Sequence, residues 1–307
     1  MNELLALGMG RLLAAGSETP RLDAEVLLAH ILGIDRTGVL AHPEAPVGES
    51  LAAHYREALD RREAGEPVAY IRGVKEFHSL AFATDARALI PRPETELLVD
   101  LAEREVATRL LAAPRPAGTA LVRVVDVGTG GGAVIVTLAV LLDRLGMLDD
   151  VDLLATDSDP EALQLARENA VGHAMGDRIR FELADLLPGE SVERWDVILA
   201  NLPYVRTDAI AGLPPAAAFE PRQALDGGPD GLVTIGRLLD MLPGSLERDG
   251  VALIEIGGDQ AEAMGLAVLE RLHGWACSIE TDLAGLPRVA RVMRDLGPRR
   301  GAVVGPA

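Results

Sequence analysis

Cysteine is nearly missing from this chain: Cys277 is the only one in 307 residues. A lone thiol excludes an intrachain disulfide, which fits a reducing compartment and leads to the expectation of a cytoplasmic protein. Cys277 follows Trp275 and Ala276, an apolar setting that suits core packing better than nucleophilic chemistry. Lysine is as scarce, with Lys75 alone, and we read the arginine excess as codon bias. Positive charge is short overall: 29 basic residues face 47 acidic ones, a formal net charge of −18. That balance argues against an extended nucleic-acid groove, which needs clustered cations to displace counterions, and against an anionic membrane surface. No uninterrupted apolar run approaches the ~18 residues of a membrane span. The amino terminus lacks a basic stretch leading into an apolar core and cleavage site. The histidines are scattered, so no metal site is expected.

The chain is 49% hydrophobic and long enough for two ordinary domains with a sizeable core. Residues 1 to about 70 read as three helices. The second opens at Thr19-Pro20, with Thr as cap and Pro in the first turn, and ends at Gly33. Its stretch Arg21-Leu22-Asp23-Ala24-Glu25-Val26 reads as a solvated face. A short hairpin follows, Glu76 to His78 with Leu80 to Ala83, and a helix entered through Pro91 and Pro93 runs to about Leu111. Ala113 to Gly118 reads as a loop. From Leu121 strands and helices alternate, which implies an α/β fold built on a mainly parallel sheet. Two late apolar stretches, Ala276 to Ile279 and Arg288 to Val292, read as a closing hairpin.

The tetrad Asn201-Leu202-Pro203-Tyr204 follows the apolar strand Trp195 to Ala200. This pattern suits methylation of a planar nitrogen, whose delocalised lone pair makes it a poor nucleophile. A site helps such a nitrogen by accepting both N–H hydrogens, aiming the lone pair and excluding water. The Asn201 side-chain oxygen and the Leu202 backbone carbonyl supply the two acceptors. Pro203 stiffens the turn, and Tyr204 offers a face to a planar group.

Val127 leads into Gly128-Thr129-Gly130-Gly131-Gly132, a strand, glycine loop and helix start. Such a loop serves a dinucleotide through the helix amino terminus, or serves S-adenosylmethionine, which has no phosphate. Asp157, at the end of the next strand, is placed to accept ribose hydroxyls of either cofactor. Asp185 and Leu186 follow the third strand, as an acceptor for an adenine amino group and an apolar surface for its ring. Open α/β sheets bind ligands outside the carboxyl ends of their strands, so all four points share one rim.

Four stretches carry a close resemblance: Arg21-Leu22-Asp23-Ala24-Glu25, Ile90-Pro91-Arg92-Pro93-Glu94-Thr95-Glu96, Asp126 to Ala133, and Phe219-Glu220-Pro221-Arg222-Gln223-Ala224-Leu225-Asp226-Gly227-Gly228. Together they resemble the bacterial release-factor glutamine N5-methyltransferases, from the first helix to about Val292. The resemblance implies a Rossmann-like class I methyltransferase sheet preceded by a small helical domain. Its division is 1–72 for substrate docking, 73–92 as hairpin linker, 93–296 as methyltransferase domain and 297–307 as disordered tail. It implies S-adenosylmethionine as cofactor and release factors as protein substrate, methylated on the glutamine of a Gly-Gly-Gln loop. With the acidic balance and scattered histidines, no nucleic-acid, membrane or metal partner is expected. The family tetrad is Asn-Pro-Pro-Tyr, and Leu202 departs from it. Asn-Leu-Pro-Tyr is similar to the tetrad of ribosomal-RNA adenine dimethyltransferases, so an adenine N6-methyltransferase acting on RNA or DNA is the alternative. A nicotinamide-dependent oxidoreductase leaves the tetrad unexplained, and a scaffold silenced by Leu202 is the remaining rival.

Overall fold

The computed structural model describes residues 1–112, 121–188 and 194–297. The loop expected over Ala113 to Gly118, and all of the expected tail except Gly297, lie outside them. Five helices come first: α1 (Asn2–Ala14), α2 (Pro20–Leu32), α3 (Arg36–Ala41), α4 (Glu49–Glu63) and α5 (Val68–Arg72). Short α3 and α5 escape a periodicity reading because each is under two turns long. Leu12, Leu27, Leu28, Tyr55 and Leu59 form their common core.

Two local expectations need correction. Thr19 sits at the N-cap of α2 as expected, but its side chain makes no capping bond; its hydroxyl donates to Asp23 Oδ1 at 2.9 Å. The stretch Arg21 to Val26 is not a solvated face. Asp23 and Glu25 are buried, and Arg62 binds Asp23 at 2.8 Å while Arg21 and Arg36 bind Glu25 at 2.7 and 2.6 Å. These carboxylates tie α2 to α3 and α4. Buried charges are tolerated only when paired in this way.

Strands β1 (Val74–Phe77) and β2 (Leu80–Ala83) form an antiparallel hairpin. Its two turn residues, His78 and Ser79, both have positive φ, as a tight primed hairpin turn requires. A 3₁₀ turn over Pro93–Thr95 then opens α6 (Glu96–Leu111).

The remaining elements are β3 (Val122–Val127), α7 (Ala133–Arg144), β4 (Val151–Asp157), α8 (Pro160–Gly172), β5 (Ile179–Leu183), β6 (Trp195–Ala200), α9 (Val233–Ser245), β7 (Leu246–Glu255), α10 (Ala261–Arg271), β8 (Trp275–Thr281) and β9 (Pro287–Arg294). They build a seven-stranded sheet in the order β5-β4-β3-β6-β7-β9-β8, parallel from β5 to β7 and antiparallel through β9 and β8. The alternating pattern therefore yields the α/β sheet it implied, with the late hairpin closing one edge.

Strand periodicity sorts the core into two layers. Val124, Val197, Leu199, Val251 and Leu253 pack with α6 and α7 on one face. Val125, Val127, Ile198, Ala200, Ala252 and Ile254 pack with α9 and α10 on the other. Both faces are covered, which is why the central strands are continuous apolar runs. Cys277 packs against the second layer, and burial raises its thiol pKa. No helix among the described residues is long and apolar enough to cross a membrane.

Candidate active site

Strand order reverses between β3 and β6, and ligands of open α/β sheets bind at such a switch point, outside the carboxyl ends of the strands. A cleft lies there. Gly128 and Gly130 line it after β3, Asp157 at the end of β4, Asp185 and Leu186 after β5, and Asn201 to Pro203 after β6. Thr129 and Gly131 line an adjoining depression with Gly128, Gly130 and Asn201.

The glycine loop is held by its own side chains and by the neighbouring strand. Thr129 Oγ1 donates to buried Asp126 at 2.6 Å, and its backbone N–H to Thr156. Burial pushes the Asp126 carboxyl up to about 7. Gly132 has φ +82, and an added Cβ would press on Ala166 at 3.1 Å, so its place is a packing one at the start of α7. At Gly128, with φ +69, an added Cβ would meet Leu202 Cδ2 at 2.8 Å. The side chain that departs from the family tetrad therefore lies against the glycine loop, 4% exposed.

Asp157 Oδ2 accepts the Gly130 N–H at 2.8 Å and Oδ1 accepts the Asp159 N–H at 2.9 Å. Burial raises its pKa, and these two backbone hydrogen bonds oppose the rise. Each carboxylate oxygen keeps a lone pair for a further donor. The cap of α8 is Asp159, which accepts from Glu161, so Asp157 is left facing the cleft. Asp185 is exposed and pairs with Arg237 at 2.6 Å. Leu186 holds a left-handed φ of +74, costly for a branched side chain, and its carbonyl is fixed by Thr156 Oγ1 at 2.7 Å.

Asn201 and Leu202 line another depression as well, as do Leu89 and Ala224 of the cleft. Tyr204, Leu213, Pro214 and Glu220 are among its other walls. The start of the tetrad thus lines both an acidic cleft and a largely apolar one.

Several braces of the tetrad are invisible to local sequence reading. Asn201 Nδ2 donates to Thr95 Oγ1 at 3.1 Å. The Tyr204 hydroxyl donates to Glu255 Oε1 at 3.4 Å, and Gln260 Nε2 donates to the Tyr204 carbonyl at 3.0 Å. Buried Glu220 accepts from Arg92 at 2.5 Å and from the Ile90 N–H at 3.2 Å. That pair joins the Pro-Arg-Pro-Glu-Thr-Glu stretch to the Glu-Pro-Arg stretch over the site. The only sequence signal for these roles was the unusual specificity of those two stretches.

Gly227 supports the tetrad from behind. An added Cβ would meet the Pro203 carbonyl at 2.7 Å, the Gly231 carbonyl at 2.7 Å and Tyr204 Cα at 2.8 Å. All three are backbone atoms and cannot swing aside. Gly227→Ala is expected to displace the tetrad and lower kcat about 100-fold, the effect of a misplacement near 1 Å, with a smaller change in cofactor affinity. Steady-state kinetics beside a cofactor titration would check this.

Comparison with known proteins places the chain. Residues 3–73 match the family model described as PrmC N-terminal domain. A protein named release factor glutamine methyltransferase from Moorella thermoacetica is 38% identical over 264 residues, 86% of this chain and 88% of that one. One of the same name from Deinococcus radiodurans is 35% identical over 294 residues, 96% and 98% of the two chains. Among solved structures, the hMettl16 catalytic domain in complex with a MAT2A 3′UTR hairpin aligns with TM-score 0.50, at 14% identity and over 81% of this chain and 83% of that one. At that identity the likeness is one of fold. By its relatives, similar along nearly their whole lengths, the chain belongs to the release factor glutamine methyltransferase family.

Proposed function

We propose that this chain transfers a methyl group from S-adenosylmethionine to the side-chain amide nitrogen of a release-factor glutamine, the one in the Gly-Gly-Gln loop. The observation that carries the reading is that Asn201 and Leu202 line both the acidic cleft and the apolar one.

The acidic cleft fits S-adenosylmethionine better than a dinucleotide. Its carboxylates are Asp157, Asp159 and Asp185. Its two arginines are already engaged, Arg87 with Asp85 and Glu168, Arg237 with Asp185. The loop N–H at Gly130, which a phosphate would require, is taken by Asp157. Such a surface repels a pyrophosphate and welcomes ribose hydroxyls and a cationic sulfur. The cofactor supplies an electrophilic methyl whose departure leaves a neutral thioether.

The residues of the tetrad handle the acceptor. With Nδ2 committed to Thr95, Asn201 Oδ1 is free to accept one amide hydrogen, and the Leu202 carbonyl takes the other. Leucine retains that carbonyl, so the change from the family proline keeps the chemistry. Both hydrogens held in plane leave the nitrogen lone pair directed at the methyl, and the surplus proton departs after transfer. Tyr204 bounds the acceptor pocket from the side. Rate enhancement comes from positioning and exclusion of water.

The alternative of nucleic-acid adenine methylation would be favoured by free arginines at the mouth. Instead the arginines that line the two clefts, Arg87, Arg92 and Arg237, each face a carboxylate. Incubation with labelled S-adenosylmethionine, release factor and ribosomal RNA in parallel is expected to label the protein alone. Label on the RNA alone would overturn the reading.

The helical domain, residues 1–72, serves in this reading to dock the protein substrate. Removing it should raise KM for whole release factor about tenfold or more, with less effect on a short Gly-Gly-Gln peptide. Equal effects on both substrates would contradict that role.

A further inference from the structure

The mechanism so far leaves one buried acid unused. Glu255 ends β7, is 1% exposed, and has an oxygen, Oε2, with no partner in hydrogen-bonding geometry among the described residues. An orphaned carboxylate oxygen in a core is costly and calls for a reason.

Sheet register supplies the reason. Ala200 of β6 pairs with Ile254 of β7 in parallel, so the next residues along, Asn201 and Glu255, come side by side. Period two puts them on the sheet face that carries Leu199 and Leu253, which is the face covered by α6. Thr95 opens that helix. It is 3% exposed, it receives the Asn201 Nδ2 bond at 3.1 Å, and the nearness of its hydroxyl works to lower the Glu255 carboxyl pKa. The Tyr204 hydroxyl lies on the other side, 3.4 Å from Glu255 Oε1. Glu255 therefore meets one end of the tetrad directly, at Tyr204, and lies beside the other, Asn201, in the sheet, with Thr95 bonded to that asparagine.

We propose that Glu255 is a positioning residue that fixes which way the Asn201 amide faces. A carboxylate only accepts hydrogen bonds, and a hydroxyl has one proton to give. In this arrangement the Thr95 proton goes to the unpartnered Oε2, so Thr95 can only accept, and the group it accepts from is the Asn201 NH₂. The amide is thereby held with Oδ1 toward the acceptor. The opposite rotamer would present two N–H donors to a substrate amide that itself needs acceptors. Burial pushes the Glu255 carboxyl up to about 7, and Thr95 and Tyr204 act against that rise, as donors to the ionised form do. Glutamine at this position breaks the polarity: its NH₂ would donate to Thr95, whose proton would then turn toward Asn201.

The inference rests on the role given to Asn201, and the experiment separates the two. Glu255→Gln, Thr95→Val, Thr95→Ser and Asn201→Ala are made in the full chain, with kcat, KM for release factor, S-adenosylmethionine affinity and thermal midpoint measured for each. Glu255→Gln and Thr95→Val are expected to lower kcat about tenfold or more, with cofactor affinity within about twofold. Thr95→Ser, which keeps the hydroxyl, should recover most of that loss. Glu255→Gln added to Asn201→Ala should cost nothing further, since the two act through one path. Unchanged kcat in Glu255→Gln, or a loss that adds in full to that of Asn201→Ala, would overturn the proposal. Loss of thermal midpoint with kcat of the folded protein preserved would do the same. Normal turnover by Asn201→Ala would instead overturn the assignment of Asn201 itself.

Discussion

Asn201→Ala is expected to lower kcat for release-factor methylation by about 100- to 1,000-fold, the usual cost of removing one group aimed at the reacting centre. Affinity for S-adenosylmethionine should stay within about threefold, because the rest of the acidic cleft is untouched. The split follows from the position of Asn201, which lines both depressions. Removing its oxygen leaves one amide hydrogen without an acceptor, so the lone pair is no longer aimed. The loss should fall on kcat and kcat/KM together, since the contact matters most as the nitrogen becomes tetrahedral. Single-turnover rates with cofactor in excess would separate chemistry from product release.

Asp157→Ala carries the second large effect, in the opposite column of the kinetics. Its carboxylate holds the Gly130 and Asp159 N–H groups and faces the cleft with its remaining lone pairs. Truncation removes charge-assisted bonds worth about 1.5–3 kcal/mol each and releases the glycine loop. Cofactor affinity is expected to fall about 100-fold or more, with kcat at saturating cofactor affected far less. Asp185→Ala should cost under about tenfold, since Asp185 is exposed and already paired with Arg237. Calorimetric titration of the two variants would rank them. Equal losses would mean that Asp157 has no special hold on the cofactor.

Much of this site can be read from sequence because its parts are local. A strand announces itself by a β-branched apolar run, and the residue just past its end is then on the ligand-binding rim. Gly128, Asp157, Leu186 and Asn201, each legible from its own neighbourhood, all line the cleft. What escaped depends on which strands end up adjacent. Nothing near Glu255 says that β7 lies beside β6, and nothing near Thr95 says that its helix covers that face. The Arg92–Glu220 pair spans 128 residues and is equally silent. The buried salt bridges of α2 were misread for a related reason. A charged stretch looks solvated until the arginines that neutralise it arrive from α3 and α4. Strand β7 begins at Leu246, earlier than the apolar run from Val251 suggests, because pairing of Leu246 with Trp195 carries it through a polar segment with a register shift.

The most direct test of the central claim is to incubate this protein with S-adenosylmethionine and purified release factor, beside a release factor whose Gly-Gly-Gln glutamine is alanine, and map the products by peptide mass spectrometry. One added methyl group is expected, on that glutamine side chain, and none on the alanine variant. Methylation of the variant to the same extent, or of a residue elsewhere, would contradict it.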